Sequence, residues 1–412
     1  MEWKQVTLST VATIQSGAGF PKKKQGQLGN AYPFYKVSDM NSHGNERELC
    51  QAVNTISEDT RKLLGAKIFP RGSLVFPKVG GAIGTNKKRL ITQDSCVDNN
   101  IMGIIPDISH ITPDYVFYYM QTVDLLELSN KANPPSIRQT TVQDWHIPLP
   151  PLPEQKRIVA ILDAAFEGIA EAVTNTEKNL ANAQELFDNF LNTVFTQKGD
   201  RWVQIQIDDV CESIVDCVNK TAPKVDEPTP FKMIRTTNVR NGMVNLESVN
   251  YVTEDVYRIW TRRQIPQRGD VILTREAPMG EVGMILSDDK VFLGQRLVSY
   301  RANTAKLNNR FLLYAFQSSE LQGQIHALAS GSTVQHMRVP DSKNLQLPLP
   351  SLSTQESTVS TLDSIREQTK RLEALYQNKL AALAELKQSI LQKAFSGELT
   401  ALPDKTSEEA VA

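Results

Sequence analysis

The 412-residue chain lacks several features that would place it in a common class of protein. Its four cysteines show no Cys-x-x-Cys spacing and its five histidines complete no zinc set, which predicts neither disulfides nor a structural metal. No run of 18 apolar residues occurs and the chain starts without an apolar signal core, so we expect a cytoplasmic protein that does not contact a membrane. The net charge of −1 gives no large basic footprint for nucleic acid.

What the chain does contain is a long internal repeat with a constant offset of 200 residues. An octapeptide and three single positions carry it, paired as follows: 148–155 (PLPPLPEQ) with 348–355 (PLPSLSTQ), Leu162 with Leu362, Asp163 with Asp363, and Phe195 with Phe395. A repeat of this length indicates two equivalent structural units in tandem.

Each repeat combines a globular segment with a long helix. Segments 1–150 and 200–347 have short β-type runs punctuated by Gly, Pro and Asn, which predicts mixed α/β domains. Segments 151–199 and 348–400 place apolar residues in steps of three and four, which is typical of a coiled coil, and 401–412 is expected to be a flexible tail. The predicted fold is therefore α+β: two similar mixed α/β domains joined by two long antiparallel coiled-coil helices, as a pseudo-two-fold tandem repeat. The alternative is that each helix packs on its own domain.

The junctions and helices resemble the specificity subunits of type I restriction–modification systems over essentially the whole chain. The most specific part of the resemblance is the first junction, 149–155, with Arg157-Ile158-Val159 after it. The second junction departs from the family pattern, with Ser353, Thr354 and Ser357 where Pro, Glu and Arg are usual. Further family-like segments are 268–271, 294–297, 331–334 and 395–399.

The resemblance implies a non-enzymatic subunit with two target-recognition domains and no cofactor. Each domain is expected to bind one half of a bipartite double-stranded DNA sequence, with the helices acting as a ruler across the spacer. The implied partners are two adenine methyltransferase (modification) subunits and ATP-dependent restriction/translocase subunits. Contacts to these partners are expected at the junction residues Leu149, Leu152, Glu154, Gln155, Leu349, Leu352 and Gln355.

DNA recognition needs cations that bind phosphate and side chains that read base edges. The phosphate candidates are basic clusters in each domain: Lys22, Lys23, Lys24, Lys87, Lys88, Arg89, Arg262 and Arg263. The base-reading candidates occupy equivalent places in the two copies: Lys36 and Arg235, Lys78 and Arg275, Arg138 with Gln335 and Arg338, and Asn99 and Asn100 with Gln295 and Arg296. For each of them a structural salt bridge or a solvated surface charge is the alternative.

Two other functions remain open at this point. Asn133-Pro134-Pro135-Ser136 is similar to the Asn/Asp-Pro-Pro-aromatic motif of DNA adenine N6-methyltransferases, but Ser136 stands where an aromatic ring must stack on the flipped base. No glycine-rich cofactor loop with the required spacing accompanies it. The near-neutral net charge also fits a coiled-coil adaptor that never binds DNA.

Overall fold

The structure, a computed structural model, describes residues 3–130, 132–197, 199, 201–330 and 335–400. It divides into two compact units: unit 1 is Met1–Thr176 with Asn378–Ala412, and unit 2 is Glu177–Gln377. These bounds differ from the predicted breaks at 150, 199 and 347 because each long helix contributes one half to each unit. The predicted tail 401–412 and the family-like segment 331–334 lie outside the described residues.

Unit 1 is a mixed α/β unit, as the sequence predicted. Its strands are β1 (Gln5–Thr7), β2 (Ala12–Ser16), β3 (Tyr32–Tyr35), β4 (Glu48–Leu49), β5 (Thr55–Ile56), β6 (Leu74–Pro77), β7 (Arg89–Ile91), β8 (Cys96–Val97), β9 (Ile101–Pro106) and β10 (His146–Pro148). Its helices are α1 (Glu58–Leu64), α2 (Pro113–Gln121), α3 (Gln139–Gln143) and the start of α4 (Leu152–Thr196). The strands form sheets in the orders β2-β9-β6-β7-β4, β5-β3-β8 and β1-β10.

Unit 2 repeats this plan. Its strands are β11 (Val203–Gln206), β12 (Cys211–Asp216), β13 (Phe231–Ile234), β14 (Val239–Arg240), β15 (Gly242–Val244), β16 (Asn250–Tyr251), β17 (Val271–Arg275), β18 (Met279–Met284), β19 (Lys290–Leu293), β20 (Leu297–Ala302), β21 (Ala329–Ser330), β22 (His336–Met337) and β23 (Gln346–Leu349). Its helices are α5 (Glu254–Trp260), α6 (Asn309–Gln317), α7 (Ser319–Ala327) and the start of α8 (Leu352–Ser396). The sheet orders are β12-β20-β17-β18-β15-β14, β16-β13-β19, β11-β23 and β21-β22.

The two long helices, α4 and α8, each run for 45 residues. The one proline in α4, Pro153, lies in the first turn, where a missing N–H costs nothing. Gly397 follows α8 directly with φ of 87°, a left-handed conformation that ends the helix.

Each unit buries the apolar stripe of both helices in its own core. In unit 1 the start of α4 and the end of α8 share one buried cluster with the domain: Ile158 and Leu162 with Leu391 and Ala394. In unit 2 the end of α4 and the start of α8 do the same: Phe187 and Leu191 with Val359 and Leu362. Within each unit the two helices therefore pair antiparallel, and the helices do not pack separately on their own domains. The predicted α+β tandem repeat is confirmed.

Candidate nucleic-acid interface

Strand ends in unit 1 bring several predicted DNA contacts together. β3 and β8 run parallel, so Lys36 and the residues after β8 leave the sheet at the same end. The N–H of Lys78, after β6, donates to the carbonyl of Asn100 at 2.8 Å, and the N–H of Ile137 donates to the carbonyl of Lys78 at 2.9 Å, which brings Arg138 to the same place. We call this group the unit 1 edge: Lys36, Lys78, Asn99, Asn100 and Arg138.

Neutral partners hold the two lysines of the unit 1 edge. Lys36 Nζ donates to Gln25 Oε1 at 3.1 Å, and Lys78 Nζ donates to Ser16 Oγ at 3.0 Å. Because these acceptors carry no charge, the hydrogen bonds position the ammonium groups without neutralising them. The arrangement suits phosphate or base-edge acceptors.

Two buried carboxyl groups fix the backbone of the same edge. Asp39 accepts the N–H of Lys36 at 2.6 Å, and Asp98 accepts the N–H of Asn100 at 2.8 Å. Burial raises the pKa of both carboxyls, while these backbone hydrogen bonds and the charge of Lys36 act in the opposite direction. The loops that carry Lys36 and Asn100 are therefore held from inside the unit.

Unit 2 repeats this hydrogen-bond pattern at the equivalent strand ends. Gly294, after β19, donates its N–H to the carbonyl of Ile234 at 2.7 Å, and a Cβ at Gly294 would lie 2.6 Å from that oxygen, so the approach needs glycine. The N–H of Arg275 donates to the carbonyl of Arg296 at 2.8 Å, as its counterpart does in unit 1. We call this group the unit 2 edge: Arg235, Arg275, Gln295, Arg296, Gln335 and Arg338.

Backbone carbonyls hold two arginines of the unit 2 edge. Arg235 Nη2 donates to the carbonyl of Ser248 at 3.3 Å, and Arg275 Nη1 donates to the carbonyl of Met337 at 2.8 Å. The Nε of each arginine is buried and has no hydrogen-bond partner among the described residues. A buried unpaired donor costs about 1–3 kcal/mol. The Nε of Arg47, Arg89 and Arg310 is unpaired in the same way, so this feature is not specific to the edge.

The remaining side chains of the unit 2 edge lie close by. Arg296 is exposed, has φ of 73° and lies with its Nε 3.4 Å from Glu276. A non-glycine residue in this left-handed region is strained, which is common at functional sites. An antiparallel β-bridge pairs Glu276 with His336, the residue after the exposed Gln335, and Arg338 is paired with Asp341 at 2.7 Å.

The cluster Lys87–Arg89 needs correction as a set of phosphate contacts. Lys88 is 1% exposed, and its Nζ donates to Asn86 Oδ1 and to the carbonyl of Val123, each at 2.7 Å. Burial lowers the pKa of Lys88 to about 8. Arg89 donates to the carbonyls of Lys88 and Met40, at 2.8 and 3.1 Å. Both cations are therefore committed inside unit 1, because a phosphate could reach Lys88 only by displacing its carbonyl partner.

Of the other predicted phosphate contacts, four remain on the surface. Lys22, Lys23 and Lys24 form a short 3-10 helix, with the first two exposed, and Arg262 is exposed after α5. Arg263 instead pairs with the carboxylate of Asp216 and donates to the carbonyl of Cys217 at 2.9 Å. Arg263 therefore fastens its loop to the end of β12, which accounts for it without DNA.

The junction glutamines serve the interior of each unit. Gln155 is 0% exposed: its Oε1 accepts the N–H of Thr112, and its Nε2 donates to the carbonyls of His110 and Pro150, all at 2.9 Å. Gln355 does the same in unit 2, with the N–H of Asn308 and the carbonyls of Lys306 and Pro350 at 2.8–3.0 Å. Each side-chain amide makes three hydrogen bonds within its own unit. Gln155 and Gln355 therefore have a structural role, in place of the expected contact with a partner.

The other junction residues are only partly buried. Leu149 and Leu349 pack against the buried clusters of their units, while Leu152 and Leu352 are half-buried at the first residue of each long helix. Glu154 lies 3.8 Å from Arg157, one turn along α4. Surface for a partner is therefore left at Leu152, Glu154 and Leu352.

Sequence reasoning missed a carboxylate that links domain and helix in each unit. In unit 1, Asp163 accepts a hydrogen bond from the hydroxyl of Tyr118 and lies 2.9 Å from the guanidinium of Arg47. In unit 2, Asp363 accepts a hydrogen bond from the hydroxyl of Tyr314 and pairs with the guanidinium of Arg310. Burial raises the pKa of both tyrosines, and their hydrogen bonds to the aspartates add to this. The repeat itself contained the signal, because the aspartate recurs at the fixed offset.

Exposed leucines also recur at equivalent positions of the long helices. Leu186 on α4 is 49% exposed and Leu386 on α8 is 48% exposed, one in each unit. Single exposed apolar side chains are common on protein surfaces, so the distinguishing feature of this pair is its recurrence at the offset of 200 residues. The 200-residue offset could have revealed them, had it been applied to the exposed face of the helices as well.

The described residues contain no group of three or more His, Cys, Asp or Glu side chains placed to hold a metal. In the same residues no helix is both long and apolar enough to cross a membrane. A cleft beside α4 in unit 1, of about 640 Å³, is lined by aromatic and charged side chains, among them Arg47, Phe117, Tyr118 and Phe166.

Comparison with known proteins assigns both repeats to one family. The family model described as "Type I restriction modification DNA specificity domain" matches residues 1–181 and 199–382. These two matches begin at equivalent points of the two repeats and together cover most of the chain.

Individual relatives are distant but match along nearly the full length. The chain is 22% identical to the type I restriction enzyme EcoBI specificity subunit of Escherichia coli, over 97% of this chain and 86% of the relative. The HsdS subunit from Thermoanaerobacter tengcongensis superposes with a TM-score of 0.64 at 20% identity, over 96% of this chain and 97% of that one. A chain from a structural study of complex assembly and conformational transition of the type I R-M system gives a TM-score of 0.74 at 20% identity, over 97% and 98%. At these identities the structures show a shared fold.

Proposed function

Since this chain belongs to the family of type I restriction–modification DNA specificity proteins and is a DNA-target-recognition subunit, we propose that each of its two edges reads one half of a bipartite target. The observation that carries the proposal is the repeated geometry. In both units a cationic residue at the end of an inner strand, β6 or β17, donates its N–H, at 2.8 Å, to the loop that holds further polar side chains. The same backbone arrangement with different side chains suits the recognition of two different half-sequences.

The side chains of the two edges differ in the way that separate half-sites require. The unit 1 edge combines two lysines and one arginine with asparagines, and the unit 2 edge combines arginines alone with glutamines. Arginine offers two parallel donors that match a guanine edge, and asparagine and glutamine match an adenine edge. We therefore propose that the units recognise unrelated half-sites through a common backbone arrangement.

The proposal also covers the assembly. We propose that two modification subunits dock on the long helices, near the equivalent exposed residues Leu186 and Leu386 and the junction residues Leu152, Glu154 and Leu352, and that restriction subunits join them. Two matched docking places in one chain support two copies of one partner. The methylation and cleavage chemistry would then belong to these partners, and this chain would supply the target sequence.

Salt-dependent binding tests the proposal. The complex of this chain with its modification subunits should bind duplex DNA with an affinity that falls steeply with salt, and Lys36→Ala with Lys78→Ala should reduce both affinity and the preference for the correct half-site. Fluorescence anisotropy with target and scrambled duplexes over a salt series measures both quantities.

Matched controls come from the opposite ends of the same strands. Arg71 and Arg268 are exposed and precede β6 and β17, whereas Lys78 and Arg275 lie at the other ends. Arg71→Ala and Arg268→Ala should leave half-site preference unchanged. Binding that ignores both salt and sequence would instead support the adaptor function.

A further inference from the structure

The two long helices meet through a cation–π pair in each unit, and the polarity of the pair is the same both times. In unit 1 the ammonium of Lys387 on α8 lies 5.0 Å from the ring centroid of Phe166 on α4. In unit 2 the guanidinium of Arg366 on α8 lies 4.6 Å from the ring centroid of Phe187 on α4. Helix α4 thus supplies both aromatic rings, and helix α8 supplies both cations.

The repeat makes this polarity informative. With the offset of 200, Phe166 is equivalent to Arg366 and Phe187 is equivalent to Lys387. A symmetric alternative therefore exists for two copies of the chain, in which α4 pairs antiparallel with α4 of the second copy and α8 with α8. In that arrangement Phe166 meets a second Phe187, and Arg366 meets a second Lys387.

The apolar seam distinguishes the two arrangements less directly. Three seam residues of α4 recur on α8 with the same side chain: Leu162 and Leu362, Leu191 and Leu391, Phe195 and Phe395, whereas Ile158 is equivalent to Thr358. At the three shared positions either helix offers the same side chain to the opposite helix. The cation–π positions are different, because self-pairing replaces attraction by cation–cation repulsion on α8.

We infer that these four residues form a pairing code that directs α4 to α8 of the same chain and disfavours a helix-swapped dimer of two copies. Each cation–π pair contributes at least about threefold to an equilibrium constant, and four such pairs are lost when two chains swap. The loss of these pairs should therefore disfavour the swapped dimer by about 100-fold; repulsion between the facing cations adds to this, and contact between the facing phenylalanines offsets part of it.

The total charge of the helices acts in the same direction, so the test must separate the two effects. Helix α4 carries seven acidic and three basic side chains, and α8 carries five acidic and six basic. Self-pairing of α4 therefore also brings like net charges together. A scrambled variant exchanges the ring and the cation of one pair, and an inverted variant exchanges them in both pairs. Comparing the two distinguishes position-specific pairing from the effect of net charge.

The scrambled variant of the full chain combines Phe166→Lys with Lys387→Phe. Its own helices keep one cation–π pair in each unit, but each helix now holds one ring and one cation, so self-pairing is equally favourable. We expect the association constant for dimers to rise about 100-fold above that of the unaltered chain. Sedimentation velocity after refolding at concentrations up to about 1 mM measures it, and circular dichroism checks that the fold is kept.

The second scramble, Phe187→Arg with Arg366→Phe, changes unit 2 alone and carries the test if the first variant does not fold. The inverted variant contains all four changes, so α4 holds both cations and α8 both rings. It should return to the monomer of the unaltered chain, although its helix net charges are shifted further than in either scramble. Scrambled chains that dimerise no more than the unaltered one, or an inverted chain that dimerises most, would overturn the inference.

Discussion

The junction glutamine of unit 1 makes the most direct prediction about stability. Gln155→Ala removes three hydrogen bonds and leaves the N–H of Thr112 and the carbonyls of His110 and Pro150 without their partner in a buried site. A buried hydrogen bond contributes about 1 kcal/mol net, and an unsatisfied buried group costs about 1–3 kcal/mol. Because the side chain is fully buried, water does not restore these bonds, and we expect a loss of about 3–5 kcal/mol in the free energy of unfolding of unit 1.

Hydrogen exchange resolves this loss by position as well as by size. Exchange of the Thr112 amide should accelerate by on the order of a hundredfold or more in Gln155→Ala, since 1.4 kcal/mol corresponds to a factor of ten. The amide of Asn308, bound to Gln355 in unit 2, should keep its rate. Gln355→Ala should give the reverse result.

A neighbouring exposed residue supplies the control. Lys156 is exposed on the first turns of α4, and Lys156→Ala should change the free energy of unfolding by less than about 0.5 kcal/mol. A Gln155→Ala chain within 1 kcal/mol of the unaltered protein would refute the reasoning. Equal acceleration at Thr112 and Asn308 would refute the independence of the two junctions.

Further predictions concern a buried lysine and the helices. Burial lowers the pKa of Lys88 to about 8, so the unfolded chain binds more protons than the folded chain between pH 8 and about 10.5, and Lys88 makes the free energy of unfolding rise by about 3 kcal/mol across that window. Denaturation of Lys88→Met should lack this rise. Parallel pH profiles of the free energy of unfolding for the variant and the unaltered chain would contradict the prediction. Inserting four residues after Thr176 together with four after Gln377 lengthens both helices by about 6 Å and should shift the preferred DNA spacer by about two base pairs. Methylation of targets with varied spacers measures the preference. An unchanged preference would contradict the role of the helices as a ruler.

The architecture followed from the sequence because periodicity and repetition are properties of the chain itself. Apolar residues at steps of three and four predicted α4 and α8, which the structure places at Leu152–Thr196 and Leu352–Ser396. Some of the short β-type runs became strands such as β6 and β9. The units divide within the helices because the two halves of each helix pack in the cores of different units.

Candidate residues could be placed from the sequence where their position follows from a strand end, but their contacts could not be predicted where distant neighbours decide them. Lys78, directly after β6, and Arg275, the last residue of β17, each donate a backbone N–H to another residue of their edge. Lys88 looked like a surface cation in the sequence, but the carbonyl of Val123, 35 residues away, binds it in the interior. Gln155 belonged to the most specific motif, yet its partners are backbone groups of its own unit.

Mapping methylated adenines in DNA tests the central claim most directly. Cells that express this chain with its modification subunits should methylate a bipartite sequence, and Lys36→Ala with Lys78→Ala should relax one half of it while Arg235→Ala with Arg275→Ala relaxes the other half. Relaxation of both halves by either pair of substitutions, or of neither half by both pairs, would contradict the account of two independent reading edges.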